Sequence, residues 1–124
     1  MLREMLSEEE LREFESLIEE LREENKNSPV LVEGKHDERA LRNLGLRGEI
    51  IKLNEGKSVV NFAEKIASRY STIILLFDWD ERGRKLTGEI ASLLREMNVE
   101  VNLEFWVKIQ GMIPHVSSVE ELRV

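Results

Sequence analysis

Residues 73–80 have the sequence IILLFDWD, and residues 30–37 have the sequence VLVEGKHD. In each stretch a continuous apolar run ends at a carboxylate, and a helical pattern then begins. Runs that are apolar on both faces are typical of parallel strands buried on both sides of a sheet. The two stretches therefore predict two buried parallel strands, each followed by a helix.

The remainder of the chain continues this alternation of strands and helices. Helical patterns occupy residues 7–24, 35–44, 58–70 and 82–97, with a final helical turn after residue 117. Strand patterns occupy residues 50–53, 72–77 and 99–105, and residues 54–56 form the exit turn of the first of these. This order predicts a three-layer α/β/α fold with a four-stranded, mostly parallel sheet and an added N-terminal helix.

Length and composition narrow the class of protein. A chain of 124 residues is long enough for one domain with a real core. It has no cysteine, which excludes disulfides and thiolate metal sites. Its N-terminus is charged rather than signal-like, and no apolar run approaches the roughly 18 residues of a membrane span. We therefore expect a cytoplasmic protein that does not insert into a membrane.

The net charge of −7 is concentrated at the N-terminus. Residues 1–27 hold four basic and ten acidic side chains, whereas residues 28–124 hold fourteen basic and fifteen acidic ones. We expect residues 1–27 to form an amphipathic helix and residues 28–124 to form the α/β domain. The apolar stripe of that helix predicts docking on the domain, with a homodimer through the helix as the alternative.

Three carboxylates follow the predicted strands, at the edge of the sheet where ligands bind in open α/β folds. Glu33 follows the first strand, and Asp78 and Asp80 follow the third. Convergent carboxylates repel one another unless a cation lies among them, and oxygen ligands without His or Cys favour Mg²⁺, or Mn²⁺. We expect these residues to bind the metal, although Asp80 could instead cap the helix that follows it.

Small and basic residues beside these carboxylates indicate a phosphate-containing substrate. Helix N-termini attract anions. The two helices predicted after the carboxylates both begin with small and basic residues. Lys35 offers a compact positive charge for a phosphate oxygen, so we expect it to act in catalysis together with Glu33. The expected phosphate-binding residues are Gly34, Lys35, Arg82, Gly83 and Arg84.

Other residues near these stretches have simpler expected roles. Asp37 is expected to be a surface cap for the helix after the first strand. Trp79 and Trp106 are expected to pack in the core or to shield the site, although a base could stack on either ring.

The two stretches together resemble the Toprim domain. This catalytic module is shared by bacterial-type primases, topoisomerases, certain nucleases, recombination mediators and the 5S ribosomal RNA maturase. Its signature is a Glu after the first strand and a D-x-D sequence after a later strand, which Glu33 and residues 78–80 match in type and order. The stretch VEGKHD at residues 32–37 is most similar to the maturase and to small stand-alone relatives. The resemblance covers about residues 29–105.

The resemblance implies a Mg²⁺-dependent site that acts on phosphodiester bonds of RNA or DNA. In such domains the residue matching Glu33 is a general acid or base, and the pair matching Asp78 and Asp80 coordinates Mg²⁺. Tyr70 does not match a topoisomerase nucleophile, and the chain lacks the extra modules of a primase. Nuclease-like hydrolysis or metal-dependent binding of nucleic acid therefore remains, and the first stretch favours RNA over DNA as the substrate.

Two other functions compete with a nuclease. The first is a non-catalytic, metal-dependent module that binds nucleic acid or a nucleotide. The second is a phosphohydrolase of the haloacid-dehalogenase type, which also uses a D-x-D sequence. In that class the sequence should follow the first strand, whereas here it follows the third, so the order of the elements disfavours it.

Overall fold

The structure is a computed structural model that describes residues 2–53, 56 and 58–123. The helices are α1 Leu2–Met5, α2 Glu8–Asn25, α3 Lys35–Asn43, α4 Val59–Ala67, α5 Glu81–Glu96 and α6 Glu104–Met112, followed by a 3₁₀ helix at Val119–Glu121. The strands are β1 Val30–Val32, β2 Ile50–Lys52, β3 Thr72–Leu75 and β4 Glu100–Asn102. Asn54 and Glu55 of the predicted exit turn lie outside the described residues.

The four strands form one parallel sheet in the order β2-β1-β3-β4. β1 is hydrogen-bonded to β2 on one side and to β3 on the other, so the two central strands are β1 and β3. The predicted α/β fold with a four-stranded sheet is confirmed.

Alternating strand residues supply two separate apolar cores, one on each face of the sheet. On one face, Val30, Val32 and Leu76 pack with residues of α2, α3 and α6 and with the C-terminal segment. On the other face, Leu31 and Leu75 pack with residues of α4 and α5. Burial on both faces explains why β1 and β3 are continuous apolar runs.

The N-terminal helix α2 packs into the first of these cores. Ser7 and Glu10 form a reciprocal capping box at its start, so the predicted start is confirmed. Phe14, Ile18 and Leu21, on its apolar face, are all buried within the chain. The docked helix predicted by the stripe is therefore present, and this packing leaves mainly polar residues of α2 exposed. Homodimerisation through the helix stays a prediction.

Three predicted element boundaries were wrong. The helix α4 ends at Ala67 rather than near residue 70. The third strand ends at Leu75 rather than residue 77, although the Leu76 N–H still donates to the Leu31 carbonyl at 2.9 Å. The edge strand predicted for residues 99–105 ends at Asn102, and α6 begins at Glu104. The Asn102 side chain accepts the Glu104 N–H at 2.9 Å, and so it satisfies a donor at the start of α6. Within the described ranges, none of the helices is both long and apolar enough to cross a membrane.

Candidate metal centre

The candidate site lies where the direction of the chain reverses across the sheet. From β1 the chain passes through α3 to β2 on one side, and it then crosses through α4 to β3 on the other side. Such a switch point leaves a crevice at the carboxyl ends of the two central strands, which is the usual ligand position in open α/β sheets. Glu33 follows β1 at this edge, and Asp78 lies three residues after β3.

Glu33 and Asp78 are in direct contact across this crevice. The Asp78 backbone N–H donates to Glu33 Oε2 at 2.9 Å, which fixes the direction of the glutamate side chain. The other carboxylate oxygen, Oε1, lies 3.7 Å from Nη1 of Arg82. The Glu33 side chain is only 13% exposed, whereas that of Arg82 is 80% exposed. Glu33 is therefore held in place, and Arg82 can move towards a ligand.

The C-terminal segment holds the second carboxylate. Asp78 Oδ1 accepts the backbone N–H of Val119 at 2.8 Å, and the Asp78 carbonyl accepts the indole N–H of Trp106 at 3.4 Å. Trp79, next in sequence, is buried as expected, and its backbone and indole N–H groups donate to the carbonyls of Ser117 and Val116. These contacts place the end of the chain against the crevice.

Burial raises the pKa of Asp78 from 3.8 to about 7. Repulsion from the carboxylates of Asp37, Glu33 and Asp80 adds to this rise, while the hydrogen bond from Val119 opposes it. The Asp78 carboxyl is therefore surrounded by negative charge in a partly dry site. Functional sites commonly contain an acidic side chain in a crevice whose pKa is shifted from its usual value.

Asp80 serves as the N-cap of α5. Its Oδ1 atom accepts the Gly83 N–H at 2.7 Å, which is the capping role left open by the sequence. A Cβ atom at Gly83 would lie 2.1 Å from the Asp78 carbonyl oxygen, so only glycine allows the first turn of α5 to pack here. The Asp80 side chain is exposed, and its second oxygen accepts no hydrogen bond from the described residues.

Asp37 differs from the expected surface cap. Its Oδ2 atom does accept the Gly34 N–H at 3.0 Å, but Asp37 lies in the first turn of α3 and is only 6% exposed. Burial raises its pKa, and the nearby carboxylates of Glu33 and Glu120 act in the same direction. Asp37 is thus a fourth acidic group of the site.

The predicted phosphate-binding residues lie around the rim of the crevice. Lys35 and Arg84 are exposed in the first turns of α3 and α5, and Arg82 is close to Glu33. The backbone N–H groups of Gly34 and Gly83 already donate to Asp37 and Asp80. A phosphate could use those two amides only after the caps had opened, and so the three basic side chains are the more accessible groups.

The donor set fits a hard divalent cation in chemical type, because it consists of carboxylate oxygens alone. The described conformation is not a closed metal site. Among residues 2–53, 56 and 58–123, no three acidic, His or Cys side chains are arranged to hold an ion. Glu33, Asp78 and Asp80 each direct one oxygen to a backbone N–H instead. Joint coordination of one ion by all three would therefore require a change in their side-chain positions.

Several residues of this site were missed by sequence reasoning. The three-residue spacing between Gly34 and Asp37, which lets an acidic residue in the first helical turn accept the N-cap N–H, is a local signal that could have placed the aspartate inside the helix. The contacts of Val119 and Trp106 with Asp78 span 41 and 28 residues, and the sequence carries no local signal for either.

The chain is similar to proteins of one recognised family. The Toprim domain model matches residues 28–106. UPF0292 proteins from two archaea are close relatives: the one from Thermoplasma volcanium is 36% identical over 106 residues, covering 86% of this chain and 88% of the relative. The one from Thermococcus kodakarensis is 33% identical over 115 residues, and the match covers 92% of this chain and 84% of the relative. A solved structure of a protein from Aquifex aeolicus has a TM-score of 0.74 and 26% identity, covering 86% of this chain and 94% of that chain.

These similarities cover both the sheet and the stretches that carry Glu33 and residues 78–80. Toprim domains generally bind divalent metals such as Mg²⁺, and the family is associated with nucleic acids. The resemblance inferred from the sequence and the matched family agree. The chain therefore belongs to the Toprim domain family, and this membership indicates a metal-dependent role connected with nucleic acids.

Proposed function

We propose that this protein is a Mg²⁺-dependent, nuclease-like phosphodiesterase, with RNA favoured over DNA as its substrate. One observation carries the proposal: carboxylates from the two central strands meet in the crevice at the switch point. Glu33 accepts the Asp78 N–H there, and burial, together with repulsion from other carboxylates, raises the pKa of Asp78 to about 7. Repulsion among these carboxylates destabilises the folded protein when no cation is bound. A bound divalent cation would relieve that repulsion.

The proposed metal ligands are Asp78, Asp80 and Glu33. Asp78 and Asp80 each have a second oxygen that accepts no hydrogen bond from the described residues. When bound, Mg²⁺ or Mn²⁺ would neutralise charge on a phosphodiester and polarise it. Val119 and Gly83 hold the two aspartates through their backbone N–H groups, so both side chains have defined starting positions.

Glu33 is the proposed general acid or base. Its side chain is largely buried and held by the Asp78 N–H, so it can exchange a proton at a defined position beside Asp78. Arg82 lies 3.7 Å from Glu33 Oε1 with a largely exposed side chain. A substrate phosphate could draw this guanidinium away from Glu33 and so leave the glutamate available for proton transfer.

The basic rim is the proposed phosphate-binding region. Lys35 is exposed one residue beyond Gly34, where it can reach a phosphate without contacting Glu33. Arg82 and Arg84 begin α5 beside Asp80. Phosphate binding at helix N-termini is favoured by the aligned peptide dipoles, which here add to three cationic side chains.

A second candidate function is a binding module without catalysis. The capping role of Asp80 favours this candidate. Because Asp80 stabilises the start of α5, its presence has a structural explanation that does not require catalysis. In such a module the cation would hold a phosphate group, and Glu33 would transfer no proton.

The test is hydrolysis of labelled oligonucleotides, supplied as structured RNA, single strands and duplexes, with Mg²⁺ or with EDTA. The proposal predicts cleavage that requires Mg²⁺ and falls roughly 10²–10⁴-fold in Glu33→Gln. Glu81→Gln is the matched control, because Glu81 is an exposed acidic residue near the site that forms no part of the proposed machinery. Mg²⁺-dependent binding without cleavage, unchanged in Glu33→Gln, would instead support the binding module.

A further inference from the structure

A second feature adjoins the carboxylate site: an open cleft of about 590 Å³ between α5 and the start of α6. One wall is a stripe of α5 that contains Arg84, Gly88 and Arg95, and the other wall contains Trp106. The indole N–H of Trp106 donates to the Asp78 carbonyl. The cleft and the candidate metal centre therefore share one side chain as their boundary.

The two arginines suit a ligand with repeated negative charges. Arg84 and Arg95 are eleven residues apart in α5, which places them about 16 Å apart along the helix axis. Both are exposed, and among the described residues neither guanidinium forms an ion pair. Glu96 also lines the cleft, so the charged side chains that line the cleft have a net charge of one positive. The cleft can therefore contact two phosphates but does not provide a broad basic surface.

The wall between the arginines is made of small side chains. Gly88, Ala91 and Ser92 line the cleft there. A Cβ atom at Gly88 would have no heavy atom within 4 Å, so the space above this glycine is open. The helix therefore leaves room for a chain to lie along it between two cationic side chains.

Trp106 adds an aromatic surface to this cleft. Its indole is half-buried and its N–H is already satisfied by Asp78, so the ring can offer a ligand mainly stacking contacts. Bases of any sequence stack on aromatic side chains when they are unpaired. In a duplex those base faces are covered by neighbouring base pairs, so stacking on Trp106 favours a single strand.

We propose that this cleft binds a single-stranded segment of nucleic acid. Arg84 and Arg95 contact its phosphates, and one base stacks on Trp106. The bound strand then leads towards Asp78, so that an adjoining phosphodiester reaches the carboxylate site. This last step rests on the proposed function, whereas binding in the cleft does not.

The test measures binding separately from cleavage. Fluorescence anisotropy of labelled RNA and DNA strands of about 12 nucleotides, and of the matching duplexes, is recorded in EDTA at several salt concentrations. The key variant is Gly88→Leu, which adds a bulky side chain to the cleft at a position where a Cβ atom meets no heavy atom within 4 Å, and which replaces a poor helix former. Gly111→Leu is its control, because Gly111 also has open space around its Cβ position but lies outside the cleft.

Two further variants test the proposed contacts. Trp106→Leu should weaken single-strand binding at least about fivefold, the low end of measured base-stacking effects. Arg84→Ala with Arg95→Ala should lower the salt slope of binding by about 1.4, or about 0.7 for each lost phosphate contact. Arg12→Ala with Arg47→Ala removes the same charge from two exposed residues outside the cleft, so it controls for net charge.

The proposal predicts tighter binding of single strands than of duplexes, and loss of that binding in Gly88→Leu but not in Gly111→Leu. Any of three results would overturn it. The wild-type protein binds no single strand, it binds duplexes as tightly as single strands, or every cleft variant binds as its control does. Binding that depends on the cleft without any Mg²⁺-dependent cleavage supports the cleft and refutes the proposed hydrolysis. Cleavage with an unchanged KM in all cleft variants supports the hydrolysis and refutes the cleft.

Discussion

Replacing Asp78 with Asn is expected to stabilise the metal-free protein, and the gain should depend on pH. Burial, together with repulsion from neighbouring carboxylates, raises the pKa of Asp78 from 3.8 to about 7 in the folded state. The folded chain therefore holds this proton more tightly than the unfolded chain, and ionisation of Asp78 costs folding free energy. Asn never ionises, yet its Oδ1 atom can still accept the Val119 N–H that Asp78 accepts at 2.8 Å.

The size and the sign of the effect follow from the shift in pKa. A rise from 3.8 to about 7 corresponds to at most ~4 kcal/mol at ~1.36 kcal/mol per unit. The Asp78 side chain is partly exposed, and solvent screening reduces the expected cost to about 2 kcal/mol. Below pH about 4 the carboxyl is protonated in both states, so the variant and the wild type should differ little. Between pH about 4 and about 7 the wild type loses stability relative to the variant, and above that range the difference stays constant.

The assay is urea unfolding of both proteins in EDTA across pH about 4 to 8.5, with the free energy of unfolding extrapolated to water. Glu81→Gln serves as the control, because it removes an exposed carboxylate nearby. The reasoning predicts a difference near zero at the acid end and about 2 kcal/mol in favour of Asp78→Asn at the alkaline end. An equal difference at every pH, or a variant that is less stable at pH about 8, would refute it.

Three further predictions follow from the same geometry. Mg²⁺ or Mn²⁺ should raise the melting temperature, because a cation relieves carboxylate repulsion only in the folded state, and Asp78→Asn with Asp80→Asn should remove this response in calorimetry. An unchanged response in the double variant would place the ion elsewhere. Lys35→Ala should weaken oligonucleotide binding and lower its salt slope by about 0.7, and Lys35→Arg should largely restore both; an unaltered slope in the alanine variant would remove Lys35 from the phosphate contacts. Gly83→Ala should lower the unfolding free energy by about 2 kcal/mol, because its Cβ would lie 2.1 Å from a backbone oxygen, whereas Gly88→Ala, with open space, should raise it by about 0.5–1 kcal/mol. Equal effects of the two alanine substitutions on chemical unfolding would contradict this packing argument.

The parts of the fold that sequence reasoning predicted depend on local patterns. The apolar runs before Glu33 and Asp78 identify strands because both faces of β1 and β3 are buried. Ser7 and Glu10 identify the start of α2 because the capping box needs only residues three apart. The first two residues of α6 were predicted as strand because residues 99–105 alternate between apolar and polar side chains, and no element was predicted for the rest of this helix.

The site was predictable only in its outline. The order of Glu33, Asp78 and Asp80 after parallel strands indicates one edge of the sheet, and this is where the structure places them. The burial of Asp37 and the Val119 contact with Asp78 depend on how the C-terminal segment packs against α3 and the crevice. Such contacts are set by tertiary packing across about 40 residues or more, so residue spacing along the chain does not reveal them.

Anomalous diffraction from crystals soaked in Mn²⁺ tests the central claim most directly, because it locates the ion without reference to any activity. The account predicts an ion at the switch point, bound by carboxylate oxygens of Asp78 and Asp80, with Glu33 as a direct ligand or a ligand through water. The second oxygen of Asp80, which accepts no hydrogen bond from the described residues, should then contact the ion. A fully ordered crevice without Mn²⁺, with the ion bound elsewhere, would contradict the account.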